Sequence, residues 1–305
     1  MHKSVLLNEC LEYLKLSEND IIVDCTLGYG GHSSKILKEI KRGFLFAFDQ
    51  DDDAIKFSDK RLSETGDNYE IIRSNFVNIK EELKKRNITK VNGILYDLGV
   101  SSPQLDEGDR GFSFHQDARL DMRMDKKNKF DAEELINTYE YKDLVRIFTK
   151  YGEEKYASTI AKKIISYRET KHIETTLELV EIIKSAVPEK YKREKHPARK
   201  VFQAIRIEVN KELEVFEKSL RDSLELIDVG GRICVITFHS LEDKICAEIF
   251  KSISTIDKNL KNMPVIPEEY LPNYKIIANI KPSEEEINEN LRSRSAKLRV
   301  IERVK

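Results

Sequence analysis

Three features of the 305-residue sequence predict an α/β fold, built on a parallel sheet with helices on both faces and a C-terminal antiparallel strand pair, and interrupted by an all-helical insertion. Strand-like and helix-like segments alternate through roughly the first hundred residues, as crossover connections require. The alternation then gives way to about a hundred residues with only loop and helix signals. It resumes with one more strand and helix, and ends in two runs of alternating hydrophobicity. The expected division is a discontinuous α/β domain, 1–104 and 199–305, and a helical insertion domain for substrate recognition, 105–198.

The elements follow in order. Asp20-Ile-Ile-Val-Asp-Cys25 reads as a strand ending in a glycine turn, and 32–41 as a helix with Ile36, Leu37 and Ile40 on one face. Phe44–Phe48 is a second strand ending at Asp49, followed by a helix over 52–62 whose polar start is Asp51-Asp52-Asp53. Tyr69–Arg73 is a third strand, 78–86 a helix and Asn92–Asp97 a fourth strand. Residues 104–130 are polar and loop-like. Over 131–187 only helices are expected, with Asp131/Glu134 and Thr175/Glu178 as capping pairs. Pro188 marks a stop, and Pro197 suits the first turn of one long helix to about 228, ended by Gly230-Gly231. Arg232–Phe238 is a fifth strand and 241–252 a helix, with 274–280 and 296–303 as the antiparallel pair.

Composition sets outer limits. Lys+Arg number 53 against 54 Asp+Glu, a formal charge of −1 that excludes a histone-like polycation. The distribution is uneven: residues 184–211 hold nine basic and three acidic residues, and 291–305 six and one. Two basic blocks thus sit in an otherwise acidic chain, which suits local anion binding. No apolar run approaches the roughly 18 residues of a membrane span, and the first sixteen residues do not read as a signal peptide. Cys10, Cys25, Cys234 and Cys246 show no metal or disulfide spacing and read as buried thiols of a cytoplasmic protein.

Glycine is scarce, 12 in all, yet Gly28, Gly30 and Gly31 fall within four positions. Such a turn after a first strand bends tightly and brings bare N–H groups against a ligand. Asp49, closing the second strand, can accept both hydroxyls of a ribose. These features suit any adenosine-containing cofactor, NAD or S-adenosylmethionine, and a turn kept only for packing is the plain alternative. Ser33 stands where a pyrophosphate fingerprint has its third glycine. Asp24 ends its strand where a ligand ammonium could reach it. Both details favour S-adenosylmethionine, as does the terminal antiparallel pair.

The fourth strand runs into Asp97-Leu-Gly-Val-Ser-Ser-Pro-Gln-Leu-Asp106. With His2–Leu7, Asp24-x-Thr-x-Gly-x-Gly-Gly-His-Ser33, Arg110-Gly-Phe-Ser-Phe114, Leu120-Asp-Met-Arg-Met-Asp125, Arg199–Asn210, Thr237–Asp243 and Arg292–Arg299, this segment resembles the bacterial small-subunit ribosomal RNA methyltransferase H family over nearly the whole chain. The resemblance implies a Rossmann-like, S-adenosylmethionine-dependent methyltransferase sheet with a helical insertion. The implied activity is methylation of the exocyclic N4 of a cytidine in 16S rRNA. It implies cofactor contacts at Gly30, Gly31, His32, Asp49, Phe76, Asp97 and Gln104, with 16S rRNA or the small subunit as partner; no metal is expected because no ligand spacing supports one, and monomer and homodimer stay open. Many amino-group methyltransferases carry Asn/Asp-Pro-Pro-Tyr where this chain has Asp97-Leu-Gly-Val. That fits the resembled family and argues against a Pro-Pro-Tyr mechanism and a DNA amino-methyltransferase.

The chemistry asks for few groups. A cytosine amine is a weak nucleophile and a sulfonium methyl is already activated, so alignment and proton removal remain for the protein. Asp97, with the 97–104 loop, is the expected catalytic group, accepting an amine N–H and turning the lone pair to the methyl. His115, Asp117, Asp121, Arg123 and Asp125 read either as an exposed loop with internal ion pairs or as a substrate-side wall. His239 reads as a helix-entry residue or a substrate contact. The target base has to leave any stack. Lys190, Lys192, Arg193, Lys195, Arg199 and Lys200, interleaved by Tyr191 and Phe202, are expected to hold phosphates. Arg292, Arg294, Lys297 and Arg299 are expected to do the same from a strand. An NAD-dependent oxidoreductase and a non-catalytic RNA-binding factor are the readings from other classes.

Overall fold

The computed structural model describes residues 4–100, 108–194, 196–256, 260 and 266–305. It divides into two compact units, Met1–Gly99 with Leu213–Lys305, and Val100–Glu212.

The first unit holds a seven-stranded sheet in the order β3-β2-β1-β4-β5-β7-β6. Its strands are β1 Ile21–Asp24, β2 Phe44–Asp49, β3 Tyr69–Arg73, β4 Val91–Asp97, β5 Ile227–Thr237, β6 Tyr274–Ile280 and β7 Lys297–Arg303. β1 to β5 run parallel, while β7 pairs antiparallel with both β5 and β6, the expected terminal pair. Strand order reverses between β1 and β4, which opens a crevice at their carboxyl ends. Both faces are buried, as parallel strands require. On β4, Ile94 and Tyr96 join one core with Val23, Phe48 and Phe216. Leu95 points to the other core with Ile22, Ile36 and Leu45. Tyr96 buries its hydroxyl at no polar cost, because Ser219 and Ser223 Oγ lie 2.6 and 2.7 Å away.

Helices α1 Leu7–Leu14, α2 Gly31–Glu39, α3 Asp52–Ser63 and α4 Ile79–Lys85 accompany the first four strands. The Asp51 side chain caps α3 by accepting the Asp53 N–H, as the run of three aspartates suggests. α1 is absent from the expected elements; its buried face is only Cys10 and Leu14. The start of β5 also differs. The strand begins at Ile227, with Gly230 and Gly231 inside it rather than ending a helix. The register shift between Val91 and Gly93 absorbs the extra residues, and Gly230 takes φ 83°.

The second unit is helical, with α-helices Ala132–Thr138, Tyr141–Lys150, Ala157–Arg168, Thr176–Ser185, Glu189–Glu194 and Ala198–Asn210. Asp131 and Thr175 cap as expected, accepting from the Glu134 and Glu178 N–H groups. The expected single helix from 197 to about 228 is two, Ala198–Asn210 and Glu212–Leu226, broken at Lys211 in the left-handed region with φ 52°. Val201, Phe202, Ile205 and Ile207 are buried in the second unit, where Ala198–Asn210 packs on Tyr141–Lys150. The division therefore falls at 99/100 and 212/213 rather than at 104/105 and 198/199. Helical periodicity runs on through the break at Lys211, a non-glycine residue in the left-handed region, which is why the expectation joined Ala198–Asn210 to the α/β domain.

Candidate active site

The carboxyl ends of β1 to β4 bring six predicted residues, from four separate segments, to one edge of the sheet. Asp24 lies opposite Ala47 and Leu95, and Asp49 opposite Arg73. The glycine turn, Asp49, Phe76 and Asp97 therefore share that edge. Gln104, the seventh, lies outside the described residues, as does Lys195.

The turn from β1 into α2 is held from within. Asp24, 1% exposed, accepts from the Thr26 N–H and from Ser33 Oγ at 3.0 and 2.6 Å. Burial raises its pKa, and these hydrogen bonds oppose the rise. Asp24 thus braces the loop rather than facing a ligand ammonium, because its oxygens already bind the turn. Ser33, which breaks the pyrophosphate pattern, is the other half of this brace. Gly30 takes φ 71° as the N-cap of α2, and a Cβ there would lie 3.3 Å from Ser58 Oγ. Ser58 Oγ in turn donates to the Gly28 carbonyl. Gly31 is needed for close approach instead, since its Cβ would fall 1.9 Å from Ser4 Oγ.

Asp49 accepts the Gly28 N–H at Oδ2 and the Asp51 N–H at Oδ1, at 2.8 and 2.9 Å. Burial pushes its pKa up to about 6, against the pull of these two bonds. A carboxylate has about four acceptor positions, and the Gln50 N–H also bonds this one, which leaves room for a ligand hydroxyl. Phe76 follows β3 in a short 3₁₀ turn started by the Asn75 side chain, and its ring meets Tyr96 edge-on at 5.6 Å.

Asp97 ends β4, its backbone N–H donating to Thr26 Oγ1 at 2.7 Å. Oδ1 is shut off from solvent and finds no hydrogen-bond partner among the described residues. Oδ2 lies 3.5 Å from His32 Nδ1, and the side chain as a whole remains 26% exposed. His32 itself is buried, with Nε2 3.1 Å from the Val5 carbonyl. A carbonyl only accepts, so Nε2 carries the proton of that bond. Burial, then the Asp24 and Glu242 carboxylates, push Asp97 up to about 8. A buried acceptor left without a donor costs roughly 1–3 kcal/mol, so the arrangement favours a ligand that brings a donor or a positive charge.

Other candidates resolve differently. Asp121 grips Arg123 through both oxygens at 2.7 Å, and Arg119 pairs with Asp131 at 2.7 Å, which makes the 117–131 stretch an internally paired loop. His239 is the N-cap of the Ser240–Ser254 helix, its Nε2 3.1 Å from Glu242, and so the helix-entry reading holds. Tyr191 and Phe202 do not interleave the first basic block. Both are buried, and Tyr191 donates its hydroxyl to Glu154 at 2.6 Å. In the second block, Arg292 and Arg294 lie in a 3₁₀ turn rather than on a strand, and Lys297 and Arg299 both pair with Asp243 at 2.7 and 2.6 Å. That block has already spent much of its charge inside the fold. All four cysteines are buried and free.

A protein of Exiguobacterium sibiricum named Ribosomal RNA small subunit methyltransferase H is 50% identical over 307 residues, covering 100% of this chain and 98% of that protein. One of the same name from Finegoldia magna is 50% identical, covering 99% and 98%. Among solved structures, an rRNA methylase from Streptococcus thermophilus matches at 12% identity and TM-score 0.45, covering 100% of this chain and 99% of that one. The family model for the MraW methylases spans residues 1–304, and the chain belongs to the MraW methylase family.

Proposed function

We propose that the protein transfers the methyl group of S-adenosylmethionine to the exocyclic N4 of a cytidine in 16S rRNA of the small ribosomal subunit. The observation that carries this reading is the orphaned Asp97 Oδ1 at the carboxyl end of β4, beside the glycine turn. The residues fit the cofactor: Asp49 offers an acceptor for a ribose hydroxyl, Gly30 and Gly31 bring main chain close, and Phe76 offers a ring. His32 is buried and acts through Asp97 and the main chain. Three acidic groups, Asp24, Asp97 and Glu242, crowd beside the turn, so a pyrophosphate there adds to their repulsion while a cation relieves it and favours ionised Asp97. That argues against NAD and the oxidoreductase reading. Gln104 keeps its expected cofactor role as part of the proposal.

The bound cofactor supplies an activated methyl carbon. With that cation beside it Asp97 would be ionised; it would accept one amine N–H of the cytosine, orienting the nitrogen lone pair, and take up the proton the amine loses as the N–C bond forms and the methyl–sulfur bond breaks. His32 Nδ1 lies 3.5 Å from Oδ2, and Oδ1, which has no partner among the described residues, is the oxygen assigned to the amine. The fixed chain of Thr26 to Asp97 and Asp24 to Thr26 keeps the acid in register with the turn. The test is transfer of labelled methyl to small-subunit RNA by the wild type and Asp97→Asn. Transfer should fall by two or more powers of ten in the variant, on the scale of a lost acid–base group, with the fold unchanged. Wild-type rates in a folded Asp97→Asn protein would overturn the assignment.

A further inference from the structure

The second unit carries an aromatic group that the methyl-transfer chemistry does not use. Phe114 and His196 are stacked, with ring centroids 4.6 Å apart and planes inclined by 25°. His115 lies 4.4 Å from Phe114 and 5.3 Å from His196. Beneath them the buried Phe202 meets Phe114 edge-on at 5.7 Å. Phe202 is core, but His115 is exposed, and Phe114 and His196 are only half-buried. Core packing alone does not account for three rings gathered at a surface.

The group is held firmly. The Ala118 N–H donates to Thr176 Oγ1, which donates to the Gln116 carbonyl at 2.6 Å. The Thr176 N–H returns to the Ala118 carbonyl at 2.9 Å, and Asp117 receives the Leu177 N–H. The loop bearing Phe114 and His115 is therefore fastened to the first turn of the Thr176–Ser185 helix. His196 opens the way into the Ala198–Asn210 helix, its carbonyl accepting the Arg199 N–H. A stacking surface fixed in this way loses little entropy on binding.

The polar features point to one class of ligand. His196 Nδ1 is shut off from solvent and has no hydrogen-bond partner among the described residues. Burial, His115 and Lys184 lower the His196 pKa, which keeps its ring neutral. A neutral ring stack suits a flat, uncharged π-system better than a phosphate. Charge for phosphates is supplied alongside, since the 184–211 segment has six more basic than acidic residues, and Arg193 and Arg199 are exposed.

We propose that Phe114, His115 and His196 form a platform on which an unpaired nucleobase of the RNA stacks, with flanking phosphates held by the neighbouring basic residues. The inference rests on the RNA reading above. Stacking between bases and aromatic rings serves any base and adds affinity that does not depend on salt.

The test is equilibrium binding of a fluorescein-labelled single-stranded RNA, carrying the small-subunit sequence that the enzyme methylates, across a salt series. His115→Ala with His196→Ala should weaken binding by about 5- to 150-fold. The slope of log K against log salt should stay that of the wild type. Phe114→Leu should act likewise, and Phe114→Tyr, which keeps the ring, should bind as the wild type. Unchanged affinity in the two histidine variants, or a loss that comes with a flatter salt slope, overturns the platform. If wild-type protein methylates and binds RNA while the variants bind equally well, the platform alone fails. If wild-type protein neither binds nor methylates RNA, the functional reading fails and the platform with it.

Discussion

Asp97 is the residue on which most of the account turns, and its surroundings make its charge state measurable. Its pKa of about 8 lies far above the ordinary carboxylate value near 3.9, with burial the main cause. The groups facing it are Asp24 from β1, His32 from α2, Cys10 from α1 and Glu242 from the Ser240–Ser254 helix. Between those two pH values the folded protein holds a proton that the unfolded chain has released. Stability of the ligand-free protein therefore falls as pH rises through that window, and Asp97→Asn should flatten the fall. Thermal melts of both proteins from pH 5 to 9 read this directly; parallel curves would contradict it. A cation beside Asp97 stabilises the ionised form. S-adenosylmethionine carries a sulfonium charge that its demethylated product lacks. The affinity ratio of the two, measured by calorimetry, should rise with pH through about 8 in the wild type and stay level in Asp97→Asn. Sequence pattern marks Asp97 as the acid that ends a strand. Its orphaned oxygen and the Val5–His32–Asp97 chain depend on the packing of the N-terminal segment against α2, which no local pattern encodes.

At the scale of elements, the strands and helices around the glycine turn were legible because each obeys a simple period and ends at a glycine or an acid. Gly30 is the position where the turn depends most on glycine, with φ 71° and Ser58 Oγ 3.3 Å from the site of a Cβ. Gly30→Ala should cost about 1–2 kcal/mol in stability from the left-handed backbone. It should also weaken cofactor binding beyond that, because displacing Ser58 frees the Gly28 carbonyl from its donor. A melt and a titration on one preparation separate the two effects, and unchanged cofactor affinity would remove the turn from the site. The elements that were not legible have physical reasons. α1 buries two residues, too few for a periodic signal. Lys211 breaks a helix in a conformation for which its sequence gives no cue. The glycines at 230 and 231 look like a helix stop but serve a bulged strand.

For the whole molecule, a formal charge of −1 conceals two basic blocks with different fates. The C-terminal block is partly neutralised by Asp243, which Lys297 and Arg299 both grip. The block over 184–211 keeps exposed Arg193 and Arg199 in the second unit. Reversing these two to Glu should weaken RNA binding and lower the salt slope by about one for each phosphate no longer held. Reversing Lys297 should act mainly on stability. Equal effects on the salt slope from both blocks would contradict the division of labour. Sequence showed where the charge lies; which cations are already paired depends on strand register and helix placement. Described helices include none long and apolar enough to cross a membrane.

The central claim is the identity of the methylated atom. Small-subunit RNA is incubated with the protein and labelled S-adenosylmethionine, digested to nucleosides and mapped. The account predicts label in N4-methylcytidine at a single 16S position. Label on another base or another atom of cytidine, or no transfer to RNA by folded protein, would contradict it.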